Sequence, residues 1–232
     1  MFPAWAKSPL GPVGRLQDSS QSPQKIWAMQ PQPDVHYIWT DVQNFDGEQR
    51  WELIDGRAYA MSSPLTIHQH VSMNLTGALL PHFRGTACRL YAAPMDVKLS
   101  ERDLVQPDLF VVCDASQIKR THVEGPPRLI IEILSESTMR HDRLRKLNLY
   151  AQSGVEEYWL VTPHPPLVEV MKNVNGAFLY VGAFSEADTL RSAAFPELLL
   201  DLCPIFVDLP PQPDIGEVKE ATPEYIATLI RR

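Results

Sequence analysis

Residues 129–134 read Leu-Ile-Ile-Glu-Ile-Leu. Six residues rich in isoleucine are long enough for a strand and short for a helix. Side chains along a strand point alternately to opposite faces, so Ile130, Glu132 and Leu134 share one face and Leu129, Ile131 and Ile133 the other. Both faces are apolar, and such a strand has to be covered on both sides. The same run carries a carboxylate into that interior. Stripping a carboxylate of water costs several kcal/mol, so a chain that keeps Glu132 there must supply a cation or hydrogen bonds.

A second acid has a similar setting. Val105-Gln106-Pro107-Asp108-Leu109-Phe110-Val111-Val112 places Asp108 within an apolar strand, on the face of Phe110 and Val112. If the two strands are neighbours and these faces agree, Asp108 and Glu132 converge. Two like charges at short range raise one pKa unless a divalent cation compensates, and hard oxygen donors select Mg²⁺ or Mn²⁺. Spacing alone fits equally well an Asp108 that caps a turn and a Glu132 that pairs with a buried arginine.

The surrounding pattern predicts strands and helices alternating around one mixed sheet, an α/β or α+β chain. Trp51–Met61 reads as a hairpin around Asp55-Gly56, a pair suited to left-handed turn positions. A helix follows from about Leu65 to Phe83, started by Ser62-Ser63-Pro64, with Ile67, Val71, Leu75, Ala78, Leu79 and Phe83 on its buried face. Cys88–Leu99 and Leu104–Cys113 form a second hairpin around Glu101-Arg102-Asp103. After the strand at 128–134, the N-cap residues Ser135-Glu136-Ser137-Thr138 begin a helix that stops at Gly154. Glu157–Thr162 is a strand, and Leu167–Lys172 and Phe178–Phe184 flank Asn175-Gly176 as a third hairpin. The 21 prolines cluster towards the two ends. The chain therefore divides into an irregular arm at 1–35, a domain at 36–208, and a proline-rich arm at 209–232 with a short helix near Pro223–Arg231.

Three further residues are candidates for the same site. Lys146 lies 14 residues after Glu132 on the following helix. There it could orient a water or neutralise charge on a phosphoryl group, or simply pair with Asp142 at the surface. Glu52 sits between Trp51 and Leu53 in the first hairpin, and His68 lies on the first long helix. A lone helical histidine is more often surface or core filler.

The net charge of −7 argues against a protein that coats nucleic acid. It leaves room for a local basic strip, and residues 119–146 hold seven Lys or Arg against four acids. The three cysteines, Cys88, Cys113 and Cys203, have no metal-ligand spacing, and their odd number predicts no disulfide framework. A reduced, cytoplasmic protein is expected, and no apolar run is long enough to predict a membrane span.

Several stretches together carry a resemblance. WELIDGRAYAMSSP, IHQHV, YAAPMDVKLS, VQPDLFVVCD, GPPRLIIEILSEST, DRLRKLNLYAQSGVEEYWLVTP and DTLRSAAFPELLLDL span about residues 50–206. In this order and spacing the chain resembles the Uma-type restriction endonuclease family of the PD-(D/E)XK nuclease superfamily. The resemblance implies a restriction-endonuclease-like core, a mixed central sheet flanked by helices. It implies Mg²⁺ held by Asp108 and Glu132, and phosphodiester hydrolysis by water activated by the metal. It also raises Glu52 and His68 to expected site residues. The superfamily places a lysine two residues after the second acid, where this chain has Leu134. Lys146 resembles a migrated substitute.

Three functions compete at this point. One is a Mg²⁺-dependent DNA endonuclease, acting as a homodimer because cutting two strands favours two sites. A second is a catalytically silent nucleic-acid-binding or assembly module, favoured by Leu134 and the negative charge. The third is a metal-dependent hydrolase of another phosphate ester.

Overall fold

The computed structural model describes residues 30–45, 49–134 and 141–210, the last segment from residue 145 onward for side chains. The chain begins with a short helix, α1 (Trp39–Val42), and the hairpin β1 (Trp51–Ile54) and β2 (Arg57–Ala60). Next come helix α2 (Thr66–Phe83) and strands β3 (Arg89–Ala92), β4 (Asp96–Lys98), β5 (Leu104–Val105), β6 (Leu109–Val112), β7 (His122–Glu124) and β8 (Leu129–Ile133). Helix α3 (His141–Ser153) leads to β9 (Glu157–Thr162), β10 (Leu167–Val174) and β11 (Ala177–Ser185). A small pair, β12 (Thr189–Arg191) and β13 (Leu199–Asp201), precedes α4 (Cys203–Phe206).

The mixed α+β class stands, but the single sheet becomes three. A six-stranded sheet runs β11-β10-β9-β8-β6-β3, a five-stranded one runs β2-β1-β5-β4-β7, and β12 pairs with β13. The pairs β8–β9 and β4–β7 are parallel. Helix α3 makes the crossover from β8 to β9, as a parallel pair requires.

The expected second hairpin explains the split. Its outer part, β3 with β6, lies in the large sheet with Ala92 opposite Leu109. Its inner part, β4 with β5, lies in the small sheet with Val97 opposite Val105, one residue out of step with the outer ladder. Between the two ladders fall Pro94 and Pro107, each without an N–H to donate. The last rung before the break is Ala93 N–H to the Asp108 carbonyl, 3.0 Å. Asp108 therefore lies in a bend just before β6, rather than within the strand as its apolar neighbours suggest.

Strand β8 is covered on both sides, as its composition demands. Leu129, Ile131 and Ile133 join a core with Val71, Leu75, Leu79 and Phe83 of α2. Ile130 joins a second core with Phe110, Tyr150 of α3, Tyr158 and Leu160. The predicted buried face of α2 holds at those four residues, while Ile67 and Ala78 are only half-buried. Its start differs, since Leu65 is the N-cap and caps with no side chain. Both turn signals hold: Asp55 and Gly56 have φ of 51° and 75°, Asn175 and Gly176 of 54° and 82°.

The cysteine expectation is corrected. Cys88 and Cys113 form a disulfide, with Cys203 free. They occupy the rung next to Arg89 opposite Val112, so the antiparallel pairing of β3 and β6 brings together two residues 25 apart in sequence. Among the described residues no helix is long and apolar enough to cross a membrane. The start of the helix at 135–140, the arm at 1–29 and the helix expected at Pro223–Arg231 lie outside the described residues.

Candidate active site

Strand register brings the two acids together. Leu109 of β6 stands opposite Ile131 of β8, so one further step sets Asp108 against Glu132. The Ile133 N–H donates to Oδ2 of Asp108 at 2.7 Å. His68 Nε2, reaching in from α2, lies 3.0 Å from the same oxygen.

Glu132 is held from the other side of the sheet. Its Oε1 accepts from Tyr150 Oη at 2.7 Å and from Lys146 Nζ at 3.1 Å. Lys146 and Tyr150 are four residues apart on α3, one above the other on the same face. That same ammonium donates to Oε1 of Glu52 at 2.9 Å, and Glu52 Oε1 also accepts the Gln106 N–H at 3.0 Å. Lys146 thus joins β1 of the small sheet to β8 of the large one. The sequence left room for Lys146 to pair with Asp142 at the surface, yet Lys146 is 8% exposed and Tyr150 fully buried. Surface pairing is thereby excluded for this lysine.

Glu52, His68, Asp108, Glu132 and Lys146 all line one cavity of about 870 Å³. Burial lifts the Glu132 carboxyl to about 7, against the opposing pull of Lys146, and the charges of Asp108 and Glu52 add to the rise. Burial works against the Lys146 ammonium, but Glu132 and Glu52 outweigh it and hold its pKa well above the usual lysine value. Burial likewise depresses His68, and the Asp108 hydrogen bond and charge reverse that to a net rise. The Tyr150 phenol is pushed well up, by burial first and then by Glu132. Two carboxylates, Glu52 and Glu132, share the Lys146 ammonium, and the third, Asp108, pairs with His68 in the same cavity.

Residues 37–203 match the model of a protein family described as "Uma2: Putative restriction endonuclease". The chain belongs to the Uma2 family. An uncharacterized protein of Synechocystis sp. is 28% identical over 162 residues, covering 68% of this chain and 83% of that relative. A crystal structure from Anabaena variabilis, titled as "a putative nuclease belonging to DUF820", has the same fold with a TM-score of 0.55 and 18% identity, over 69% of this chain and 92% of that one. This Uma2 chain is therefore built on a nuclease-like framework.

All five residues singled out from the sequence meet in this Uma2 cavity. Two participants were missed, Tyr150 and Gln106. The i, i+4 spacing of Lys146 and Tyr150 was the available signal for the first, and the Gln106 contact, made through the backbone, left none.

The donor set fits a hard divalent cation. Asp108 Oδ1 and Glu132 Oε2 accept no hydrogen bond among the described residues, while their partner oxygens are occupied. Among the described residues no three His, Cys, Asp or Glu side chains are grouped to enclose a metal ion. One or two carboxylates completed by water and phosphate is the usual way Mg²⁺ is held. Among the described residues, two that line the cavity also keep a buried polar atom without a partner, Nδ1 of His68 and Oε1 of Gln106.

Proposed function

We propose that this chain is a Mg²⁺-dependent endonuclease that hydrolyses DNA phosphodiester bonds. The observation that carries the reading is Asp108 opposite Glu132 in one cavity, with the Lys146 ammonium against Glu132. Asp108 and Glu132 would hold Mg²⁺, with Mn²⁺ able to substitute. When bound, the ion would polarise the phosphoryl oxygens and make a water more acidic.

The remaining residues do work of their own. Ile133 N–H and His68 fix the rotation of the Asp108 carboxylate, so that its second oxygen faces a predictable direction. Tyr150 and Lys146 do the same for Glu132. Glu52 holds Lys146 in place, and the ammonium supplies positive charge where a phosphoryl group gains negative charge in the transition state. Lys146 reaches the second acid from α3, so the lysine displaced from position 134 is functionally replaced across space.

The test is nicking of supercoiled plasmid by the purified chain in Mg²⁺. Cleavage that needs the metal and disappears in Asp108→Ala supports the reading. Absence of nicking, or equal nicking by Asp108→Ala, sinks it. A homodimer with two such sites would cut both strands, and light scattering at micromolar concentration checks it, a monomer mass counting against.

Two observations favour the second reading, a catalytically silent nucleic-acid-binding or assembly module. The Lys146 ammonium is already engaged by two glutamates, and Leu134 stands where a lysine is usual. That reading predicts nucleic-acid binding indifferent to EDTA and to Glu132→Ala, with no cleavage.

A further inference from the structure

A pocket rich in carboxylates repels a phosphodiester strand, and the whole chain carries a net charge of −7. A strand can be seated there only by cations that are not already neutralised. Most of the described cations in the basic stretch at 119–146 fail that condition. Lys119 pairs with Glu124, Arg128 with Glu156, and Lys146 with Glu52 and Glu132.

Arg120 and Arg145 are the exceptions, and of the two it is Arg145 that contacts a residue lining the cavity. It is exposed, and among the described residues no carboxylate faces it. Its guanidinium carbon lies 4.9 Å from the centroid of the Tyr59 ring. Tyr59 lines the cavity and is the cross-strand partner of Glu52. The guanidinium thus lies over a ring that lines the cavity, and its planar fork of N–H donors suits bidentate phosphate binding. Arg50 lines the same cavity, and among the described residues its Nη2 reaches only the Ser62 carbonyl oxygen, at 3.4 Å.

We infer that Arg145, seated over the Tyr59 ring and assisted by Arg50, is the phosphate-binding group that seats a nucleic-acid strand over the carboxylate cavity. This rests on the nuclease reading for its substrate class. The ring holds the guanidinium in place before the strand arrives, so little side-chain freedom is lost on binding. The contact is with the backbone and reads no base.

The experiment is fluorescence anisotropy of a labelled oligonucleotide, single-stranded and duplex, titrated with the full chain in EDTA over a range of salt. Arg145→Ala is expected to weaken binding about tenfold, the worth of one charge-assisted contact. It should also lower the salt slope on duplex by about 0.9, one phosphate contact. Arg145→Lys should keep the slope and lose part of the affinity, because an ammonium has no planar face for the ring. Arg191→Ala, an exposed arginine on β12, is the control and should change neither. Unchanged affinity and slope in Arg145→Ala, equal losses in Arg191→Ala, or no binding by the parent chain would each overturn the inference. Binding that depends on Arg145 without any plasmid nicking would instead remove the nuclease reading alone.

Discussion

The backbone N–H of Ile133 donates to the Asp108 carboxylate at 2.7 Å, so the peptide that follows one acid orients the other. The contact depends on β6 and β8 being neighbours in register, and no side-chain substitution at 133 short of proline removes its donor. The separation of Asp108 from Glu132 is therefore a property of the sheet, while the side chains around them tune charge.

Lys146→Met should destabilise the fold by about 3–5 kcal/mol, the cost of leaving buried partners uncompensated. Glu52 and Glu132 would then face each other without their ammonium. Urea denaturation measures the loss, and Mg²⁺ should recover part of it by binding only the folded state. A variant as stable as the parent would show that the two glutamates do not depend on this lysine.

Metal binding should strengthen with pH. Glu132 titrates at about 7 in the fold, raised by burial from its ordinary value, so it is protonated below that pH and offers Mg²⁺ no charge. The metal-induced rise in Tm should therefore grow between about pH 6 and about pH 8. Without metal the sign reverses. A carboxyl whose pKa is raised by folding contributes most below its unfolded value, and that contribution falls as pH rises towards about 7. A metal-induced shift independent of pH would contradict the placement of Glu132 at the ion.

Tyr150→Phe separates a positioning role from packing. The ring is kept, and one hydrogen bond to a carboxylate is lost, about 1.5–3 kcal/mol. Because that hydroxyl holds the Glu132 pKa down, its removal should move the midpoint of the metal-induced stabilisation to higher pH. An unchanged midpoint with lowered Tm would leave Tyr150 a purely structural residue.

Thiol titration in denaturant without reductant should find one reactive cysteine, Cys203, and three after reduction. Opening the Cys88–Cys113 bridge frees a loop of 25 residues, worth about 3–4 kcal/mol by chain entropy. Reduction should lower the urea midpoint accordingly. Three reactive thiols before reduction would show that the pair does not bridge.

The composition of residues 129–134 was enough to require a strand covered on both faces, and α2 and α3 provide that cover. Asp55-Gly56 and Asn175-Gly176 fixed two hairpins, because so few residues tolerate a left-handed turn. Glu132 and Asp108 were legible as a pair for a related reason: an acid in an apolar run needs a partner, and the sequence offers few. Tertiary structure decided everything that depends on which element lies beside which. Helical period alone sets Lys146 and Tyr150 on one face of α3, but not that this face is buried, because the two glutamates that make burial tolerable come from β1 and β8. The cysteine count could not reveal a bridge created by the pairing of β3 with β6. Nor could local pattern show that one hairpin would divide between two sheets at Pro94 and Pro107. Sequence pattern reports the local conformation and the burial a residue requires, whereas the partner that satisfies it is chosen by long-range packing.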